Sequence, residues 1–190
     1  MKAHTINKFD NFIKAWYLED TSICDWLINY HKNSSDKYPG VSSYKQHDIK
    51  IKDSVDVALD EQGFLHYFNF LKDPLQEYVK EYPACSKFTP FGVTENVQIQ
   101  HYLPGGGFHA WHSERTTSKD PIAKRHLVFM TYLNDISDCG ETQFYHQDIK
   151  IKPEKGLTVI WPVDWTFVHR GIPSPTQEKY IVTGWTSYLE

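Results

Sequence analysis

NVQIQHYLPGGGFHAWHSER (96–115) is where the character of the chain changes. Its first eight residues are β-branched, aromatic and polar by turns, and a proline and three glycines then stop the run. That is the composition of a strand closed by a turn. Four further runs of the same kind follow: HLVFMTYL (126–133), TQFYHQDIKI (142–151), LTVIWPV (157–163) and YIVTGWTSYL (180–189). Each is bounded by Gly, Pro or Asp, and no stretch beyond residue 93 repeats its apolar residues at helical spacing. The second half therefore reads as a β-sandwich or jelly-roll barrel.

Upstream of this segment the pattern is different. FIKAWYL (12–18) has the length and aromatic content of a strand. Asp20 or Thr21 is placed to cap a helix through SICDWLINYHK, in which Ile23, Trp26, Leu27 and Tyr30 recur at helical spacing. NSSDKYPGVSS (33–43) collects turn formers, and a second helical stretch covers 61–81, where Pro74 predicts a split into two helices because proline lacks the backbone donor. The expected architecture is mainly β with N-terminal helices, in a single domain over 1–190: helical support over about 1–92 and a jelly-roll core over about 93–190. The pentapeptide DIKIK occurs at 48–52 and 148–152 with unrelated flanks, which reads as recurring strand chemistry and not as an internal repeat.

Composition narrows the function. The 190 residues carry a net charge of −4, which argues against a generally basic nucleic-acid binder. No apolar run has the length of a membrane span. Cys24, Cys85 and Cys139 are odd in number and far apart, favouring reduced thiols and a cytoplasmic setting. Motifs for P-loops, nucleophile elbows, HExxH zinc sites and dinucleotide folds are absent, which leaves histidine and carboxylate to carry the chemistry.

His-x-Asp/Glu puts an imidazole and a carboxylate on one face of a strand, because side chains alternate. The pattern occurs at His112/Glu114 and at His146/Asp148. The second pair lies where QFYHQDIKIK turns lysine-rich, the look of a solvated hairpin. The first follows glycines that would let the backbone approach a small bound molecule, among aromatics suited to a dry pocket wall. A facial two-histidine, one-carboxylate set needs one more histidine from another strand, and His169 in WPVDWTFVHRG is the natural candidate. Lys179 opens the last strand across the turn after His169, and an ammonium buried there would need an anion, such as the far end of a dicarboxylate chelating the metal.

With these residues in hand, the chain resembles the iron(II)- and 2-oxoglutarate-dependent dioxygenases, and within them the prolyl 4-hydroxylase-like group. The resemblance covers about 97–188 and rests on an ordered set: the Tyr102-to-His112 glycine segment, Arg125, Gly140-Glu141-Thr142 with Phe144, Pro153 with Gly156, His169 with Gly171, and Lys179-Tyr180 with Trp185. It implies a double-stranded β-helix, cupin-like core, with Fe(II) held by His112, Glu114 and His169. It implies also that Lys179 pairs with the distal carboxylate of 2-oxoglutarate, that Tyr102 and Thr142 offer it hydroxyls, and that Trp185 lines the pocket near Lys179. The implied activity couples decarboxylation of 2-oxoglutarate by O2 to C–H hydroxylation of a peptidyl proline or a small molecule. The chain departs from the group in two places. Glutamate stands where aspartate is usual, and the Tyr102–His112 interval is one residue longer, which puts Trp111 at the usual histidine position and makes His109 a competing ligand. The alternative is a non-oxidative cupin-like barrel that binds a metal or small ligand, and it has no use for Lys179. Loops 33–47 and 115–124 are the expected entrance.

Overall fold

The computed structural model describes residues 2–4, 11–41 and 48–189. In chain order these form β1 (Lys2–His4), β2 (Lys14–Tyr17), α1 (Ser22–Asn33), β3 (Tyr38–Pro39), β4 (Val55–Ala58), α2 (Glu61–Glu81), α3 (Ala84–Lys87), β5 (Phe91–Gly92) and β6 (Gln98–Tyr102). There follow β7 (Arg125–Tyr132), β8 (Thr142–Phe144), β9 (Ile149–Ile151), β10 (Leu157–Pro162), β11 (His169–Gly171) and β12 (Lys179–Tyr188). A large antiparallel sheet runs β1-β2-β10-β7-β12-β6-β4-β3, with β5 paired to the end of β12. A small one runs β11-β8-β9.

The central strand β7 explains why its sequence shows no alternation. Leu127 and Phe129 belong to the core under the helices, with Leu27, Tyr67 and Leu71. Val128, Met130 and Tyr132 point the other way, into a second core with Phe144 and Ile151 of the small sheet. A strand covered on both faces has no wet side to mark with polar residues. The second core makes the interior of a jelly roll, the space between the two sheets.

Four sequence expectations change. The 61–81 helix is not split at Pro74 but runs unbroken through it. Tyr67, Leu71, Pro74, Leu75 and Tyr78 form one buried stripe, so both halves are pinned to the same core, and that packing outweighs one missing backbone hydrogen bond. The first 92 residues are not only helical support, since β2 and β4 are integral strands of the large sheet. WPVDWTFVHRG is not one strand either: β10 ends at Pro162, a 3-10 turn spans Trp165–Phe167, and His169 starts β11. TQFYHQDIKI likewise divides, with Asp148 at φ 51° in the turn between β8 and β9. Its DIKIK becomes edge strand β9, with Lys150 exposed, whereas the copy at 48–52 is a turn. Part of the expected 33–47 entrance loop, residues 42–47, lies outside the described residues.

Asp60 caps α2 by accepting the Gly63 N–H at 2.7 Å. The Tyr67 hydroxyl meets Thr131 Oγ1 on β7 at 2.8 Å, tying the helix to the sheet. Leu71 is fully buried at this junction. Leu71→Ala is expected to cost about 2–5 kcal/mol of unfolding free energy, measurable as a lower urea midpoint with an unchanged slope.

Candidate active site

His112 and His169 exchange backbone hydrogen bonds: the His112 N–H donates to the His169 carbonyl at 3.0 Å, and the His169 N–H returns a bond at 2.9 Å. Directly opposed residues of an antiparallel pair project to the same face, so this bridge sets the two imidazoles side by side, with ring centroids 4.3 Å apart. Glu114, two residues beyond His112, shares that face, and its N–H is fixed to the Val163 carbonyl at 3.1 Å.

Both imidazoles are oriented in the same way. His112 Nδ1 donates to the Ala110 carbonyl at 3.0 Å, and His169 Nδ1 to the Phe167 carbonyl at 2.9 Å. A carbonyl only accepts, so Nδ1 carries the proton in each ring and the Nε2 lone pair is free. Each Nε2 lies 3.4 Å from Glu114 Oε1. Burial, and then the neighbouring His169, push the His112 imidazolium down from its ordinary value, which favours the neutral form. Burial opposes the charge on Glu114, but the two imidazoles beside it hold the carboxyl well below the usual range. Among the described residues, His112, Glu114 and His169 are the group whose nitrogen and oxygen ligand atoms come within 4.8 Å of one another. Two imidazoles and one carboxylate, all from one side, suit a divalent iron with open positions opposite.

The cavity around this group has a volume of about 510 Å³. That is within the range of small-molecule sites. Lys179 lines it too, 3% exposed, with its ammonium donating to the Gly140 and Ile172 carbonyls at 3.0 and 3.2 Å. Burial lowers its pKa to about 8, against the opposing pull of the Glu141 carboxylate. The Tyr102 ring lies 5.0 Å from its Nζ. The Tyr102 hydroxyl donates to Gln100 Oε1 at 2.7 Å, and Thr142 Oγ1 accepts from the Tyr132 hydroxyl at 2.6 Å. Tyr132 and Gln100 were not anticipated from the sequence. The alternation of β6 and β7 places both on the cavity side, and that parity was the available signal.

Trp185 is in the cavity but not near Lys179. Six residues along β12 separate them, about 20 Å of extended chain, and the Trp185 indole instead donates to Glu114 Oε2 at 3.1 Å. The glycines before His112 serve backbone packing: a Cβ on Gly106 would stand 2.8 Å from the Asp53 carbonyl oxygen, and one on Gly107 2.9 Å from that of Gly171. His109 does not join the ligand group. Trp111 is partly exposed, with the Arg170 guanidinium 4.5 Å over its ring. His146 and Asp148 are exposed. Of the expected entrance loops, 33–47 contributes Tyr38 and Val41 to the cavity and 115–124 contributes Ile122.

Residues 97–187 match the family model of the 2OG-Fe(II) oxygenase superfamily. Those residues form a domain of that superfamily, whose oxygenases depend on Fe(II), 2-oxoglutarate and O2, and they contain the His-Glu-His group. Its fold is similar to a collagen prolyl hydroxylase from Paramecium bursaria Chlorella virus-1, solved with 2OG (TM-score 0.71, 21% identity, 94% of this chain and 97% of that one). A Pseudomonas putida prolyl-4-hydroxylase gives a TM-score of 0.70 at 16% identity over 94% of each chain. A Trichoplax adhaerens prolyl hydroxylase, in complex with a hypoxia inducible factor oxygen degradation domain peptide fragment, gives 0.73 at 15% identity over 93% of this chain and 84% of that one. Comparison with curated protein sequences gives no match.

Folding with Lys179 buried at a pKa of about 8 instead of 10.5 penalises the charged form. The penalty is complete below about pH 8 and is relieved as pH rises towards 10.5, because the unfolded chain there still binds the proton. Without ligands, the wild type should therefore gain stability relative to Lys179→Met over that window, as measured by chemical denaturation across pH. A constant difference between the two proteins would contradict it.

Proposed function

We propose that the chain is a hydroxylase of prolyl 4-hydroxylase type acting on proline in a peptide. His112, Glu114 and His169 hold the iron through Nε2, Oε1 and Nε2. The observation that carries this is the shared tautomer: each Nδ1 proton is committed to a carbonyl, so both free lone pairs converge on one carboxylate oxygen. Iron, with 2-oxoglutarate and O2, would supply the oxidation, in which the cosubstrate becomes succinate and carbon dioxide and a substrate C–H becomes C–OH.

The chain's own residues bind, orient and exclude water. Lys179 pairs with the distal carboxylate of 2-oxoglutarate, an anion that answers the buried ammonium. Tyr102 and Thr142 flank it, with Tyr132 behind Thr142. Trp161 and Phe167 are buried beside His169 and keep its side of the centre dry. The peptidyl substrate is suggested by the structurally similar proteins, among them the Trichoplax enzyme with its peptide. The cytoplasm is the setting favoured by three free cysteines, and no helix among the described residues is long and apolar enough to cross a membrane. A non-oxidative barrel leaves the buried Lys179 without a purpose.

Succinate should form from 2-oxoglutarate in air with iron(II) and a proline-containing peptide, and a library of such peptides screened by oxygen uptake identifies the sequence preferred. His112→Ala should abolish turnover, and undiminished succinate formation by that variant would overturn the assignment. The affinity for 2-oxoglutarate, measured by anaerobic calorimetry, should fall as pH rises above about 8, where free Lys179 loses its proton. Lys179→Met should bind 2-oxoglutarate more weakly and without that pH dependence.

A further inference from the structure

A glutamate presents its carboxylate at the end of a chain of rotatable bonds, so the backbone alone does not decide which oxygen faces the two imidazoles. Around Glu114 that choice is made by neighbours that take no part in the ligand group. Oε1 faces both Nε2 atoms at 3.4 Å, while Oε2 accepts the Trp185 indole N–H at 3.1 Å. Arg125 approaches Oε2 only to 3.6 Å, and gives its closer bond, at 3.1 Å, to the Glu114 backbone carbonyl. Its Nε and Nη2 donate to Glu95 in a two-point pair at 2.8 and 2.7 Å. The guanidinium also stacks on the Trp185 ring, 3.6 Å from its centroid.

The division of labour has a physical consequence. An arginine forked directly onto Glu114 would neutralise it and compete with a cation for its oxygens. Glu95 holds the guanidinium back, and the neutral indole supplies the directional bond. We propose that Trp185, steadied by Arg125 and Glu95, is the positioning residue that fixes Glu114 with Oε1 towards the metal and its negative charge intact. This rests on the metal centre proposed above and extends it to a residue that binds neither iron nor 2-oxoglutarate.

The test uses the full chain free of oxygen, with Mn(II) alone as the probe. Trp185→Phe keeps the ring for Arg125 to stack on and removes only the N–H. It should weaken Mn(II) binding by about tenfold to a hundredfold, the usual effect of losing a partner behind a metal ligand. In the metal-free protein, the Trp185 indole N–H resonance, assigned by its absence from Trp185→Phe, should move when Glu114 is changed to Gln. Mn(II) bound by Trp185→Phe as tightly as by wild type overturns the inference, as does an indole resonance indifferent to Glu114→Gln. His112→Ala separates the two levels. If it binds Mn(II) like wild type, the metal centre itself is wrong. If it loses Mn(II) while Trp185→Phe does not, only the role of Trp185 falls.

Discussion

The reciprocal hydrogen bonds between the His112 and His169 backbones are the joint on which the site depends. They form an isolated bridge between β11 and a segment that belongs to no strand. Because opposed residues of such a pair project together, one backbone contact fixes two imidazoles, and the two-residue step to Glu114 adds the carboxylate. The jelly roll around it supplies what the bridge cannot. β8 pairs with β11 and holds His169, with Phe144 opposite it in register. The Val163 carbonyl, just past β10, holds the Glu114 N–H. The protein thus spends two pieces of its backbone, distant in sequence, on one arrangement of three side chains.

The opposite end of the cavity carries a different kind of constraint. Lys179 is buried with its hydrogen bonds given to carbonyls, and the pull of Glu141 does not offset its burial, so the ammonium is a standing electrostatic cost to the fold. Glu114, by contrast, accepts the Trp185 indole N–H and lies 3.6 Å from the Arg125 guanidinium, and its carboxyl is held well below the usual range beside the two imidazoles. The cavity therefore holds negative charge at the centre and positive charge at one end. A molecule that chelates a cation with one terminus and presents a carboxylate at the other fits that polarity, as a dicarboxylic 2-oxo acid does. The aromatic walls, Trp161 and Phe144 against His169, raise the strength of each of these interactions by keeping water away.

Legibility differed between levels. The strand runs beyond residue 93, the His-x-Glu step and the late histidine and lysine could be read directly, because each is a local pattern with a fixed geometric meaning. Pro74 misled because its penalty is local while the stripe from Tyr67 to Tyr78 that keeps the helix whole is a tertiary fact. β4 went unread since VDVA is short and Asp56 is buried through a pairing with Lys52 at 2.6 Å, which no pattern announces. Trp185 shares the parity of Lys179 on β12 but stands beside Glu114; distance along the strand was not weighed against the place of Glu114. Tyr132 was missed although it sits two and four residues from Met130 and Val128 on the same face of β7.

The most direct measurement is an anaerobic titration of the full chain with iron(II) and 2-oxoglutarate, followed by visible absorption. A 2-oxo acid chelated to iron(II) gives a charge-transfer band that neither component gives alone. The account predicts that this band grows to an end point of one iron and one 2-oxoglutarate per chain. Saturating both components without any such band would contradict it.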